Sequence, residues 1–227
     1  IQAEKIDGNY SVKPTFFGLL LDTEICYQNI HRIVEKAAGY NNFIRVDMED
    51  SPCTDREIEL FRKLKNDFPR HVGLVLQAYL RRTLDDIKNM EDLHSPEIPL
   101  NFRLCKGIYV EPEAIAYKKY HEINDHYIEN LEYIIRKGMF PGIATHDKPL
   151  VERAYQLIRK FNLPKSAYEF QMLYGVTPEL QKSIVEKGHN MRVYVPFGKE
   201  WFGYSTRRLK ENPKMASHII KALFIRK

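Results

Sequence analysis

Short apolar runs rich in β-branched and aromatic residues alternate along this chain with longer segments in which apolar residues recur at every third or fourth position. The first pattern is typical of strands and the second of helices with one buried face. The predicted strands are Tyr10–Phe16, Asn42–Asp47, Val72–Gln77, Phe102–Lys106, Gly142–His146, Tyr168–Leu173 and Met191–Val195. Strands that alternate with helices in this way predict a parallel sheet covered by helices.

The helical segments carry start and stop signals. Thr54 ahead of Glu57, and Thr177 ahead of Pro178, are typical of helix starts. Three glycines, each followed shortly by a predicted strand, are typical of helix ends: Gly39, Gly138 and Gly188. The resulting βα repeat of roughly 25–45 residues is close to one unit of a (β/α)8 barrel.

A doubly wound α/β sheet is the competing architecture. That fold usually carries a glycine-rich phosphate loop after its first strand. Neither G-x-G-x-x-G nor G-x-x-x-x-G-K-[ST] occurs in the sequence, which favours the barrel. A closed barrel of this kind has about eight strands, more than the pattern predicts, so we expect one strand to precede Ile1 or to lie among residues not predicted as strand.

Composition places the chain among globular proteins. Apolar residues make up 44% and aromatic residues 12% of the sequence, which argues against disorder. The longest apolar run, from Phe16 to Leu21, is far too short to span a bilayer. The cysteines, Cys26, Cys53 and Cys105, form no C-x-x-C pair, which indicates reduced thiols and a cytoplasmic setting.

The net charge of +5 is unevenly distributed. Residues 187–227 contain ten Lys and Arg and two Glu, so the rest of the chain is slightly acidic. A basic C-terminal end suits an anionic ligand or an anionic membrane surface. We expect no nucleic-acid partner, because the basic residues are not clustered with stacking aromatics as they are in nucleic-acid modules.

Polar side chains end nearly every predicted strand. In a βα barrel the active site lies at the C-terminal ends of the strands. The residues found there are Lys13, Asp47, Met48, Glu49, Asp50, Gln77, Arg103, Lys106, Gly107, Thr145, His146, Asp147, Gln171, Tyr174, Gly175 and Tyr194. Because charged side chains are rarely buried without partners, so many of them together predict one shared polar pocket.

Each of these residues also has a structural interpretation. Asp47 could simply form a salt bridge along its strand face, with no role in a site, and Arg103 could be a structural arginine of the barrel. Gln77 could be a satisfied core amide. Lys106 lies on the face opposite Arg103 unless the strand has already ended. His146 could be an acid–base group, a cofactor contact or a loop histidine.

The C-terminal part of the chain carries a second polar group. Tyr204, Arg207, Arg208 and Glu211 are spaced so that they share one face of a helix. Two guanidiniums beside a phenol and a carboxylate form a good receptor for a small carboxylate or a phosphate. The alternative is a solvated helix face with one ion pair.

No metal site and no hydrolase nucleophile is predicted. His121 and His126 resemble part of a zinc motif, but a spacing of five residues places them about 140° apart around a helix, so they cannot share a metal. The sequence has no G-x-S-x-G elbow and no cysteine in a nucleophile arrangement.

Seven ordered motifs resemble the consecutive strand motifs of the proline dehydrogenase family in its single-function bacterial form. They are Ile44–Asp50, Val75–Tyr79, Arg103–Tyr109, Ala144–Asp147, Glu169–Gly175, Tyr194–Gly198 and Arg207–Glu211. The resemblance implies a distorted (β/α)8 barrel, with residues 1–227 as a single FAD-binding domain. It also implies FAD-dependent oxidation of L-proline to Δ1-pyrroline-5-carboxylate, by hydride transfer to the flavin N5.

Site residues follow from the resemblance, motif by motif. Asp47 and Arg103 match the catalytic pair, with Arg103 near the flavin N5. The positions that match flavin contacts are Met48, Gln77, Lys106, Gly107, Ile108, Thr145 and His146. The positions that match the substrate pocket are Lys13, Tyr109, Leu173, Tyr194, Tyr204, Arg207, Arg208 and Glu211. In the family the arginine pair grips the proline carboxylate, and the glutamate orients the pair.

The resemblance further implies a quinone as electron acceptor, and therefore a cytoplasmic protein with peripheral contact on the inner face of the membrane. The sequence departs from the family pattern in two places. The family's first barrel strand, an L-G-E-like run, is absent, so we expect an N-terminally truncated barrel. Pro14 stands where many members carry an aliphatic residue, and we expect it to shift the end of the strand that carries Lys13.

Two other interpretations stay open at this point. One is a Schiff-base, aldolase-like barrel with Lys106 or Lys13 as nucleophile and the arginine pair on a phosphate. The other is a truncated barrel that binds an amino acid without turning it over.

Overall fold

The computed structural model describes residues 3–198 and shows strands alternating with helices throughout. The strands are β1 Tyr10–Val12, β2 Ile44–Val46, β3 Val72–Gln77, β4 Asn101–Cys105, β5 Phe140–Ala144, β6 Glu169–Leu173 and β7 Met191–Tyr194. The α-helices are α1 Thr23–Gly39, α2 Ser51–Asp67, α3 Thr83–Asn89, α4 Tyr120–Arg136, α5 Lys148–Lys160 and α6 Pro178–Glu186. Short 3-10 turns lie at Pro14–Phe17, Glu91–Leu93 and Lys165–Ala167.

The strands form one parallel sheet whose spatial order equals their order in the chain. The predicted α/β class with a barrel-like parallel sheet is therefore confirmed. Neighbouring strands lie about 4.8 Å apart, so β1 and β4 would be about 14 Å apart in a flat sheet. Nevertheless Nη1 of Arg103 on β4 lies 3.0 Å from Oγ of Ser11 on β1. The sheet is therefore strongly curled, into a half-barrel.

The two faces of the sheet have opposite chemistry, because successive side chains of a strand point to opposite sides. The outer face is apolar, is almost completely buried and belongs to the single hydrophobic core formed with the helices. Its residues include Ile44, Val46, Val72, Leu74, Leu76, Phe102, Leu104, Ile143 and Phe170. The inner face carries polar groups and glycines, including Ser11, Arg45, Gly73, Gln77, Arg103, Gly142, Glu169, Gln171 and Arg192.

A buried arginine closes the inner face near the start of the strands. Arg45 is only 1% exposed and donates to Oδ1 of Asn101 at 2.7 Å. Gly73, its neighbour on β3, makes room for it, since a Cβ there would lie 3.1 Å from Nη1 of Arg45 and 2.6 Å from the Asn101 carbonyl oxygen. Burial and the nearby Arg103 lower the pKa of Arg45 to about 9.

Within residues 3–198, β1 and β7 are the two end strands of the sheet. Its ends approach each other, because Nη2 of Arg192 on β7 lies 3.5 Å from Oδ1 of Asp7, just before β1. Seven strands agree with the number predicted, and an eighth strand stays a prediction.

Prolines displaced two predicted boundaries. The first strand stops at Val12 and not at Phe16, because Pro14 begins a 3-10 turn and has no N–H to continue the ladder. Helix α2 begins at Ser51 and not near Thr54, because Pro52 suits the first turn of a helix. The fifth strand is Phe140–Ala144, two residues earlier than predicted.

Among residues 3–198, no helix combines the length and the apolar character that a bilayer crossing requires.

Candidate active site

A cavity of about 600 Å³ opens at the C-terminal ends of the strands, on the inner face of the sheet. This volume lies in the range of small-molecule and cofactor sites. Its walls combine three cationic and two anionic side chains with apolar groups. The lining residues are Lys13, Asp47, Met48, Val75, Gln77, Arg103, Cys105, Lys106, Gly107, Ile108, Tyr109, Ala144, Thr145, His146, Asp147, Gln171, Met172, Leu173, Val176, Thr177 and Tyr194.

Arg103 occupies the centre of the inner face and contacts three other strands. Its Nη1 donates to Oγ of Ser11 at 3.0 Å and to Oδ1 of Asp47 at 3.2 Å. Its Nε donates to Oε1 of Gln171. The guanidinium also lies over the ring of Tyr194, 5.3 Å from its centroid. Arg103 is only 8% exposed. These contacts hold its charged side chain in one orientation.

Asp47 is shared between two cations. Its Oδ1 accepts from Arg103, and its Oδ2 lies 3.4 Å from Nζ of Lys13, in the turn that follows β1. Burial alone would lower the pKa of the Lys13 amine, but Asp47, Tyr109 and Tyr194 raise it above its usual value. Lys13 is therefore a charged ammonium group at neutral pH.

Gln77 fixes the loop that follows Asp47. Both of its amide hydrogens are used, because Nε2 donates to the carbonyl oxygens of Met48 and Glu49 at 2.9 Å each. Its Oε1 is buried and has no hydrogen-bond partner among the residues that the structure describes. The amide therefore carries one unused acceptor in the wall of the cavity.

The same loop rests on a buried carboxyl group. Glu57 on α2 is fully buried, and both of its oxygens accept from the backbone N–H of Glu49 at 3.1 Å. Burial raises the pKa of Glu57 to about 8, despite that hydrogen bond, and the nearby Glu49 carboxylate acts in the same direction. Glu49 itself accepts from the N–H and the hydroxyl of Thr15.

Lys106 and Gly107 form the next wall of the cavity. Because β4 ends at Cys105, the strand alternation no longer applies to Lys106, and its Nζ pairs with Asp147 beside the ring of Tyr120. Gly107 has a φ of +105°, and a Cβ there would lie 2.2 Å from the ring of Tyr79. Only glycine fits this conformation and this close contact.

His146 stabilises the end of β6. Its Nε2 accepts a hydrogen bond from the backbone N–H of Leu173 at 2.9 Å. That contact assigns the proton of a neutral imidazole to Nδ1. His146 therefore also has a structural role, in addition to its place in the cavity wall.

Every predicted site residue within the described part of the chain lines this one cavity: Lys13, Asp47, Met48, Gln77, Arg103, Lys106, Gly107, Ile108, Tyr109, Thr145, His146, Leu173 and Tyr194. Tyr204, Arg207, Arg208 and Glu211 lie outside the described residues. The roles assigned to all of these residues stay predictions. Among residues 3–198, no group of His, Cys, Asp and Glu side chains is arranged to hold a metal.

The strand-end pattern in the sequence included Gln171 and Asp147 but assigned them no role in the site, and it did not include Ser11. Gln171 and Asp147 follow the rule of polar residues at strand ends, which marks candidates but does not say what they contact. Ser11 is a small polar residue in β1, and its sequence position does not mark it as a contact. The curvature of the sheet brings it to Arg103.

A sequence profile described as "Proline dehydrogenase" matches residues 2–221. That match covers nearly all of the chain. The chain belongs to the proline dehydrogenase family. Members of this family are FAD-dependent oxidoreductases, so the predicted enzyme class and cofactor are confirmed at the level of the family.

Two bacterial proline dehydrogenases illustrate the similarity within the family. Proline dehydrogenase 1 of Bacillus subtilis subsp. natto is 35% identical over 223 residues, which are 98% of this chain and 72% of that protein. Proline dehydrogenase of Deinococcus radiodurans is 36% identical over 196 residues, which are 86% of this chain and 62% of that protein.

Solved structures of proline utilization A proteins share the fold. The protein from Bdellovibrio bacteriovorus, inactivated by N-propargylglycine, superimposes with a TM-score of 0.80 at 27% identity. The match covers 91% of this chain but only 26% of that much longer one. A second proline utilization A structure, with proline bound in remote sites, has a TM-score of 0.79 at 20% identity and supports the fold alone.

Proposed function

We propose that this chain oxidises L-proline to Δ1-pyrroline-5-carboxylate with FAD, in the cavity at the C-terminal ends of its strands. The observation that carries the proposal is the convergence of Asp47, Lys13 and Arg103 on that cavity, within a member of the proline dehydrogenase family.

The cavity wall fits a flavin ring. Gln77 offers a buried acceptor with no partner among residues 3–198, and an N–H of a bound ring would satisfy it. Gly107 permits close approach, and Val75 and Ile108 supply apolar surface. We propose that these residues hold FAD, together with Met48, Lys106, Thr145 and His146.

The substrate requires a different set of groups. Proline combines a carboxylate with an apolar ring, and the cavity combines the Lys13 ammonium with the side chains of Leu173 and Tyr194. We propose that Arg207 and Arg208 complete the carboxylate site, with Tyr204 and Glu211, on the strength of their sequence motif alone. Lys13 stays charged, since its pKa is raised, and can therefore contribute to that site.

FAD, when bound, would accept the hydride that leaves proline Cδ, the ring carbon bonded to nitrogen that does not carry the carboxylate. The protein's part is orientation and electrostatics. Arg103 presents fixed positive charge to the cavity, and Asp47 pairs with both Arg103 and Lys13 and so positions the two cations relative to each other. A fixed guanidinium stabilises negative charge that develops during the reaction without having to reorganise.

The Schiff-base alternative does not suit the two lysines. A nucleophilic lysine is neutral, and its pKa is usually lowered by burial in an apolar pocket or by another cation. Lys13 has a raised pKa beside Asp47, and Lys106 pairs with Asp147. Lys13 is thus kept in the charged form, and the amine of Lys106 is already engaged by a carboxylate.

Oxidation of L-proline by the purified chain with an artificial dye as acceptor tests the proposal. We expect turnover with L-proline and none with D-proline. In a site of fixed handedness that binds the carboxylate, the reacting ring carbon of D-proline would lie in a different place. Absence of turnover in a preparation that contains bound FAD would contradict the proposal. Trapping of a lysine adduct by borohydride would favour the Schiff-base alternative.

We further propose a quinone as the natural electron acceptor, and peripheral contact with an anionic membrane surface. The excess of Lys and Arg over Glu in residues 187–227 supports such contact, because basic segments are attracted to anionic lipids. Co-sedimentation with anionic vesicles, but not with neutral ones, and its loss at high salt would test it.

We also propose that residues 1–227 form a single domain, since one sheet and one core extend through the described part.

A further inference from the structure

Within residues 3–198, the hydrogen bonds of Arg103 leave one of its nitrogens unused. A guanidinium has five N–H donors, one on Nε and two on each Nη. Nε donates to Gln171, and Nη1 donates to both Ser11 and Asp47. Among residues 3–198, no acceptor is found for the two hydrogens of Nη2. The side chain lines the cavity, so these are the donors available to a bound molecule.

We infer that Gln171 is a positioning residue, which fixes the rotation of the Arg103 guanidinium so that Nη2 faces the cavity. The inference rests on the proposed function. Because the guanidinium is planar, fixing Nε and Nη1 also fixes the direction of Nη2. Asp47 and Ser11 hold only one edge of the group, and Gln171 holds the other.

A second pair of charges determines which way the Gln171 amide points. Its Nε2 donates to Oε1 of Glu169 at 2.6 Å. A carboxylate can only accept, so the amide must turn its nitrogen toward Glu169 and its oxygen toward Arg103. Glu169 is held in turn by Arg192, whose Nε lies 2.9 and 3.0 Å from the two carboxylate oxygens. Gln171 and Glu169 are 4% and 9% exposed.

Gly142 provides the space that Gln171 occupies. It lies between Arg103 and Glu169 in the sheet, and a Cβ on it would be 2.4 Å from Nε2 of Gln171. Gly142 does not have a positive φ, so its backbone would accept alanine. The atom it would meet is the far end of a flexible side chain, so Gly142→Ala should fold normally and displace Gln171.

Two variants and their combination test the inference. Gln171→Met keeps the length of the side chain and removes both hydrogen bonds, and we expect about a tenfold to hundredfold fall in kcat. We expect KM for proline to change by less than about threefold, since orientation and not substrate binding is affected. Gly142→Ala should lower kcat in the same direction.

The double variant distinguishes a shared mechanism from two separate defects. If Gly142→Ala acts through Gln171, the double variant should be no slower than Gln171→Met alone, within about a factor of two. A loss equal to the product of the two single losses would overturn the shared mechanism. Gln28→Met is the matched control and should leave kcat unchanged, because Gln28 is an exposed glutamine on α1 whose side chain donates to Glu24.

Two further measurements do not depend on turnover. The Nε–H signal of Arg103 in a proton–nitrogen spectrum, assigned by its loss in Arg103→Lys, should shift upfield in Gln171→Met and in Gly142→Ala. The midpoint potential of the bound flavin should become more negative in both, because the positive charge is no longer held toward it.

An unchanged Arg103 signal in Gln171→Met would overturn the positioning role, whatever the activity. A shifted signal with unchanged kcat and potential would overturn its importance for the reaction. If the unaltered chain neither binds FAD nor oxidises proline, the proposed function fails, while the Arg103 signal still decides whether Gln171 orients it.

Discussion

Asp47 is the residue whose single carboxylate organises two cations of the cavity, Arg103 and Lys13. Asp47→Asn keeps the shape and one acceptor oxygen but removes the charge. A hydrogen bond to a charged group contributes about 1.5–3 kcal/mol, so we expect kcat/KM for L-proline to fall by roughly tenfold to a hundredfold. Steady-state kinetics with a dye acceptor measures this.

The control for that variant is Asp125→Asn. Asp125 also pairs with an arginine, Arg153, at 2.7 Å, but on the exposed surface between α4 and α5. Exposed ion pairs contribute less than about 1 kcal/mol, so kcat/KM should be unchanged. Equal losses in the two variants would contradict a specific role for Asp47.

Glu57 makes the stability of the protein depend on pH. Its pKa in the folded protein is about 8, above the ordinary value of 4.5, so the folded state binds the extra proton between those values. The unfolding free energy should therefore fall as the pH rises from about 5 to about 8, by roughly a few kcal/mol from this group. Denaturant unfolding at a series of pH values measures the change.

Glu57→Gln stays neutral and can still accept from the Glu49 N–H, so that fall should be reduced. Glu59 lies on the same helix but is exposed beside Lys63. The Glu59→Gln variant should therefore show the same fall in unfolding free energy with pH as the native chain. A slope that is the same in the native chain and in Glu57→Gln would show that Glu57 is not the titrating group.

At the scale of single elements, the turn after β4 is the most constrained part of the site. Gly107→Ala would place a methyl group against the Tyr79 ring and would force a side chain into the left-handed region. Strain of this kind costs about 1–3 kcal/mol, and we expect lower stability and weaker FAD binding. Gly39→Ala is the control, because no atom lies within 4 Å of a Cβ there. Equal stability of the two variants would contradict this account.

Element positions followed from the sequence where period and side-chain type agreed. Val72–Gln77 was predicted at its observed bounds, because a short run rich in Val and Leu between polar segments is typical of a buried parallel strand. Boundaries failed where proline chemistry competed with the apolar pattern, at Pro14 and Pro52. The location of Lys106 in the cavity depended on where β4 ends, which alternation alone leaves open.

At the scale of the whole molecule, the strand-end rule correctly collected the cavity residues, because all C-terminal strand ends of a parallel sheet meet at one edge. The sequence could not indicate which of them pair. Ser11 and Arg103 are 92 positions apart, and Arg103 and Gln171 are 68 apart, so their contacts depend on the curvature of the sheet. The contact of Gln171 with Arg103 and the space provided by Gly142 were not predicted, for the same reason.

FAD should stabilise the whole chain, because a ligand that binds only the folded state shifts the unfolding equilibrium. At a free FAD concentration of about 100 times Kd the gain is about 2.7 kcal/mol, or roughly 5–10 °C in Tm for a chain of this size. A thermal melt over a range of FAD concentrations measures it. A Tm that does not vary with FAD would indicate that the chain alone lacks the cofactor site.

We expect proline bound in this cavity to reduce a flavin held by the same residues. The most direct test is the visible spectrum of the FAD-loaded chain during anaerobic addition of L-proline. We predict that the flavin absorption bleaches with L-proline, remains with D-proline, and bleaches much more slowly in Asp47→Asn. A bound flavin that keeps its oxidised spectrum in excess L-proline would rule out proline oxidation in this cavity.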